Sequence, residues 1–144
     1  MKKSLILLVF FIIFLLISFS TAYGMEDDIV IISLAGDVMM DGSVRKAIDR
    51  YGYSYPWQEV EYYFRNSHLS VINLETSITD RGTIWPDKEY NFRSSYKNLD
   101  AMKKAGINIA TLANNHVLDY GYDGLLDTLM YLEKSGIQYA GAGR

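Results

Sequence analysis

The chain has 144 residues, 49% hydrophobic and 22% charged, which excludes a globally disordered protein and leaves room for one domain. Its net charge of −3 supplies no basic footprint, so no nucleic-acid partner is expected. It contains no cysteine, so no disulfide supports the fold.

Lys2 and Lys3 precede an apolar run from Leu5 to Phe19 that only Ser18 interrupts, and Ser20-Thr21-Ala22 follows. A positive start, an apolar stretch and a small-residue end are the parts of a secretory signal. The apolar stretch, about 15 residues, is short against the ~20 of a usual membrane span. Counted from Ser4 to Ala22 it is just long enough to cross. Residues 1–22 are therefore read as a signal peptide or an N-terminal membrane anchor, 23–28 as a linker and 29–144 as the domain. On either reading the domain is exported, to the extracytoplasmic face of the cell membrane or beyond.

Ile29 to Ala35 is a nearly continuous β-branched run, read as a strand buried on both faces of a parallel sheet. It ends at Gly36-Asp37. A short helix over Ser43–Arg50 follows, capped by Ser43 or Asp41. Tyr51, Tyr53 and Tyr55 alternate in a loop and are expected to cover the core. Pro56 is expected to start a helix reaching Asn66, with Trp57, Val60, Tyr63 and Phe64 as its apolar stripe. Leu69–Leu74 reads as a second strand ending at Glu75. The passage from Thr76 to Ser95 has no period; a loop that long is functional or mobile. Asn98 is expected to cap a helix stopped by Gly106, Ile107–Ala113 is a third strand, and a helix after Gly121 ends at Ser135-Gly136. Ile137–Ala140 starts a fourth strand. The helix end, glycine and strand start at Lys104–Ala110 recur at Lys134–Ala140, one βα unit later.

In such sheets ligands bind beyond the carboxyl ends of the strands. Three polar clusters fall there: Gly36-Asp37, Asn73-Leu74-Glu75, and Asn114-Asn115-His116 with Asp119. Each has an ordinary explanation as a turn, a cap or an exposed loop charge. Together they hold hard oxygen donors and one imidazole, the types that bind a divalent metal such as Mn, Zn or Mg. A metal there would activate water, and His116 would protonate a leaving group. No dinucleotide fingerprint, phosphate-binding P-loop or serine-nucleophile elbow occurs.

These residues resemble those of the bacterial capsule-synthesis CapA family, involved in poly-γ-glutamate production. The matching stretches are Leu34–Met39, Val71–Thr76, Tyr90–Ser94 and Thr111–Gly121, continuing through Gly124–Leu129 to Tyr139–Gly143. The resemblance covers about residues 29 to 144. It implies an α/β fold of the calcineurin-like metallophosphoesterase type, a two-sheet sandwich of which only the N-terminal half is present. It also implies a part in synthesis, export or anchoring of an anionic cell-surface polymer, as a metal-dependent hydrolase or transferase, as a non-catalytic scaffold for the polymer or its synthase subunits, or as a truncated fragment without activity. Asp37, Glu75 and Asn115 would be metal ligands and His116 and Asp119 the catalytic pair. Asn73, Arg93 and Asn114 would contact or support substrate. Met39 stands where the phosphoesterases place a first-strand His, and Val117 where they place an acid. Family domains are about twice as long, so half a sandwich is expected to leave one sheet face or edge uncovered and the isolated chain to self-associate.

Overall fold

A computed structural model describes residues 11–13 and 29–142. The expected signal or anchor therefore lies almost wholly outside the described residues. Among the described residues no helix is long and apolar enough to cross a membrane.

Four parallel strands form the main sheet in the order β1 (Ile32–Val38), β2 (Leu69–Leu74), β5 (Ile109–Thr111) and β6 (Gln138–Ala140). Two-residue strands β3 (Ser77–Ile78) and β4 (Arg93–Ser94) pair in parallel by themselves. The intervening helices are α1 (Gly42–Tyr51), α2 (Glu61–Arg65), α3 (Lys97–Lys104) and α4 (Gly121–Ser135). The chain is thus α/β, with strand and helix alternating as the hydrophobic pattern indicates.

Alternation along β2 explains the layering. Ser70, Ile72 and Leu74 are buried, while Leu69, Val71 and Asn73 between them are only half-buried. Ile72, Leu74 and Ala110 join Phe64, Leu99, Met102, Leu129 and Leu132 in one core, so the helices cover that face. The opposite face is bare among the described residues: Ile32 is 52% and Leu34 76% exposed. β1 is also an edge strand, so the expectation of burial on both faces fails for it. A continuous apolar run says only that both faces are apolar; here a single layer of helices covers one of them.

β1 carries one device that matters for the site. Its register to β2 runs Leu34↔Val71 and then Asp37↔Asn73, so β1 spends three residues where β2 spends two. The extra residue is a β-bulge at Ala35-Gly36. Without it Gly36, and not Asp37, would stand beside Asn73.

Other local expectations shift. Asp41 caps α1, its Oδ1 accepting from Gly42 N at 2.8 Å. Pro56 starts only a 3-10 turn (Tyr55–Trp57), and α2 begins five residues later. Trp57 and Phe64 are buried, but Val60 and Tyr63 are exposed, as are Tyr51, Tyr53 and Tyr55. Tyr51 and Tyr55 stack on each other at 4.6 Å and leave the core to Trp57. Asn98 does not cap α3. It lies buried in the first turn, its amide donating to Ser94 Oγ at 2.6 Å. Gly136 ends α4 in the left-handed region, as its place after the apolar stripe implies.

The passage from Thr76 to Ser95 is tied down along its length. β3 and β4 pair its two ends. Arg81 Nε donates to Asp127 Oδ2 at 3.1 Å, and Thr79 Oγ1 donates to the same carboxylate at 2.6 Å, fixing the loop to α4. Gly82, at φ +83°, presses on the next element: a Cβ there would meet the Tyr120 carbonyl oxygen at 2.0 Å.

Candidate functional site

The carboxyl ends of β1, β2 and β5 are joined by side-chain hydrogen bonds. Asn73 Nδ2 donates to Asp37 Oδ1 at 2.8 Å. Asn73 Oδ1 accepts from Thr111 Oγ1 at 3.2 Å and from Asn114 Nδ2 at 3.0 Å. Asn114 Nδ2 also reaches the Leu74 carbonyl, and its Oδ1 accepts from His116 N at 3.0 Å. An amide suits this place because it donates and accepts at once, relaying orientation from strand to strand. Asp37, Asn73, Asn114 and His116 are therefore brought into one run.

The run continues from His116 into a buried cluster. His116 Nδ1 lies 2.8 Å from Asp119 Oδ2, and Asp119 is fully buried. Phe92 N donates to the same Oδ2 at 2.6 Å, and Lys88 Nζ forms an ion pair with Oδ1. Lys88 Nζ also donates to the Asn115 carbonyl at 2.6 Å and stands 3.2 Å from His116 Nδ1. An ammonium has only donors, so His116 Nδ1 can serve one neighbour only. With the proton on Nδ1 it donates to Asp119, and both carboxylate oxygens are satisfied. With Nδ1 bare, two lone pairs would face each other at 2.8 Å. The first tautomer is therefore the consistent one. It leaves Nε2 an acceptor with no hydrogen-bond partner among the described residues. Phe92 lies against the ring, the two centroids 4.4 Å apart and the planes tilted by 34°.

Lys88 and Phe92 were not among the expected site residues. Nothing in the passage they occupy has a period, and a lone lysine in a polar loop reads as solvated. Only the folded loop brings Lys88 to Asp119. The signal that could have found it was the buried acid: Asp119 needs a cationic partner, and a buried charge is tolerated only when paired.

Glu75 and Asn115 stand apart. Glu75 follows β2 and is half-buried, but its carboxylate makes no hydrogen bond to the others among the described residues. The Asn115 side chain is exposed, and only its backbone carbonyl joins the cluster. Arg93 lies on β4; its backbone N donates to Asp41 Oδ2 at 2.9 Å, and its guanidinium sits 4.7 Å over the Tyr120 ring. It belongs to a neighbouring cavity and not to the strand-end run.

A divalent ion needs more than this donor set supplies. Among the described residues no three His, Cys, Asp or Glu side chains converge on one point. The Asn73 carbonyl oxygen already accepts two hydrogen bonds. The residues present do not by themselves fit a metal. What they do offer is a carboxylate, Asp37, that can accept an N–H. They also offer an imidazole nitrogen, His116 Nε2, that can take a proton from an attacking group, with Asp119 holding the ring as a base requires.

A family model described as bacterial capsule synthesis protein PGA_cap matches residues 31–144. The chain is 31% identical over 121 residues to the capsule biosynthesis protein CapA of Bacillus anthracis, covering 82% of this chain and 29% of that one. It is 32% identical over 119 residues to the PGA biosynthesis protein CapA of Bacillus subtilis, covering 82% and 31%. To a probable polyglutamine synthesis accessory protein of Mycobacterium tuberculosis it is 41% identical over 91 residues, covering 62% and 24%. The chain thus matches less than a third of the length of these curated relatives.

Proposed function

The chain belongs to the bacterial capsule synthesis protein family, PGA_cap, and on that premise we propose that it takes part in making or anchoring an acidic, amide-linked cell-surface polymer of the poly-γ-glutamate kind. The strand-end run is the working surface. Asp37 accepts an amide N–H of the polymer, and His116 Nε2 handles a proton there. The observation that carries this reading is the unbroken hydrogen-bonded path from Asp37 through Asn73 and Asn114 to His116, lying inside the family match. Two relatives whose names specify capsule or PGA biosynthesis support the polymer class.

The test is a titration of the isotope-labelled chain with a short γ-linked glutamate oligomer. The Asp37 carboxyl and His116 ring signals are expected to move saturably, and Asp37→Asn to abolish the response. No movement at either residue contradicts the proposal.

The bare face of the sheet bears on the rest of the architecture. Ile32 and Leu34 are exposed beside the half-buried Val71 and Ile109. We read this face as the seat of a second sheet, completing the sandwich that the resemblance implies. Expressed alone, the chain is expected to self-associate through the bare face, and Leu34→Lys to raise its monomer fraction in sedimentation. A monomeric, cooperative melt of the unaltered chain would sink this reading of the face.

A further inference from the structure

The long loop that reaches Asp119 carries an exposed tryptophan, and its backbone is pinned on both sides of that residue. Trp85 N donates to the Asp119 carbonyl at 2.9 Å. Further along the loop Lys88 forms its ion pair with the Asp119 side chain, and before Trp85 the loop presses Gly82 against the Tyr120 backbone. Trp85 is nevertheless 50% exposed, whereas Trp57 is 6% exposed and belongs to the core. An indole left half in water gives the fold only part of the burial energy that a core ring supplies. It is held in place without being used for packing.

Trp85 lines a cavity of about 300 Å³ together with Lys88, Asn115, Val117, Leu118 and Asp119. The cavity adjoins the histidine cluster and shares Lys88 and Asp119 with it. Its size is at the small end of small-molecule sites, which run ~300–1,000 Å³. Three features of the wall describe an occupant. The charges cancel, because the Lys88 ammonium is paired with the Asp119 carboxylate, so the wall has no free cation for an acidic ligand. The indole, Val117 and Leu118 supply apolar surface. Asn115 is exposed, and its side-chain amide makes no hydrogen bond among the described residues, which leaves both a donor and an acceptor free.

Trp85 and Leu118 both reach water, Leu118 being 37% exposed. A ligand apolar on every side would therefore keep apolar surface wet here, at a cost. The wall suits a neutral molecule that is apolar on one face and rich in hydrogen-bonding groups around its edge. A pyranose with equatorial hydroxyls is such a molecule. Its axial C–H groups, slightly positive, form a face that complements the negative face of an indole, and its hydroxyls point outward.

We propose that this cavity binds a neutral sugar unit of gluco configuration, its C–H face on Trp85 and its hydroxyls on the Asn115 amide. The polymer reading above concerns an acidic chain at the strand ends. The sugar site does not depend on it, since the two surfaces suit ligands of different charge.

The experiment titrates the full chain with cellobiose and follows tryptophan emission, to which Trp85 is the exposed contributor of the two indoles. A saturable change with a millimolar midpoint is expected, together with saturable NMR shifts at Leu118 and Asn115. Trp85→Ala keeps the backbone N–H that ties the loop to Asp119, so the loop is expected to hold while the Leu118 shifts are lost. Asn115→Ala alters an exposed side chain and is expected to weaken binding severalfold. N-acetylglutamate and phenol test the ligand class, and each is expected to bind about tenfold more weakly than cellobiose, or less well still. Equal affinity for N-acetylglutamate overturns the neutral site, and equal affinity for phenol overturns the sugar in favour of an apolar ring. Leu118 shifts that survive Trp85→Ala overturn the stacking, and an affinity unchanged in Asn115→Ala overturns the hydroxyl contact. No saturable emission change into the hundreds of millimolar overturns the site.

Discussion

The strand-end site has two sides that are built differently. On the side of the long loop and α4, two carboxylates are buried and saturated: Asp119 takes Lys88, His116 and the Phe92 N–H, and Asp127 takes Arg81 and Thr79. On the side of β1 and β2, Asp37 is exposed and takes a single Asn73 amide, and Glu75 is half-buried without a side-chain hydrogen bond among the described residues. The first arrangement spends acidic residues on holding a loop and an imidazole in place. The second leaves its acids free to meet something else. One site thus combines a rigid frame with an open rim, and the same residue type serves both according to how many donors surround it.

The sharpest way to break this contrast is to remove an acid from each side. Asp119→Ala strands the Lys88 ammonium, the Phe92 N–H and the His116 ring together, and loss of one partner from a buried pair costs about 3–5 kcal/mol. Urea unfolding is expected to show that loss; a cost below about 1 kcal/mol would mean that the cluster is not holding the loop. Lys88→Met keeps the aliphatic stem but removes the ammonium. It is expected to cost about 1–3 kcal/mol by the same measurement, with Lys88→Arg recovering part of it.

Acid separates the two sides more gently. The hydrogen bond from Arg81, helped by that from Thr79, holds the Asp127 carboxyl below its ordinary 3.8 against the opposing pull of burial. The unfolded chain therefore binds this proton first as pH falls. The contribution of Asp127 is fully present above 3.8 and is lost as pH drops through the lower folded value. The stability gap between the parent and Asp127→Asn is expected to narrow on acidification below 3.8, and a gap that stays constant would contradict the pairing. At the open rim the smallest effect is expected. Asp37→Asn should change stability by no more than about 0.5 kcal/mol while abolishing the response to the γ-linked oligomer.

Much of this was legible in the residues, for reasons that also explain what was not. The apolar run of β1, the alternation in β2 and the stripe of α4 are periodic, and periodicity reports an element whatever surrounds it. The strand-end clusters were legible because polar residues that stop an apolar run have one place to go, the carboxyl edge of the sheet. The bulge at Ala35-Gly36 left no such mark, since one extra residue in a strand changes register and not composition. The bare face was invisible to the reading of β1 as doubly covered, because Ile32 and Leu34 are apolar whether or not anything lies on them. Lys88 was missed because the distance from residue 88 to residue 119 is closed by β3–β4 pairing and by Gly82 against Tyr120, neither of which a local pattern encodes. Asn115 beside His116 reads as a ligand in the sequence; in the fold its side chain is exposed, and Asn114, its neighbour, joins the network.

The claim on which the rest depends is that the rigid side fixes His116 with Nδ1 toward Asp119 and leaves Nε2 without a hydrogen-bond partner among the described residues. Nitrogen-15 shifts of the neutral His116 ring read this directly. The account predicts a protonated Nδ1 and an unprotonated Nε2, unchanged in Asp37→Asn and lost as a single tautomer in Asp119→Asn. A ring found with the proton on Nε2 and Nδ1 bare toward Lys88 would contradict it.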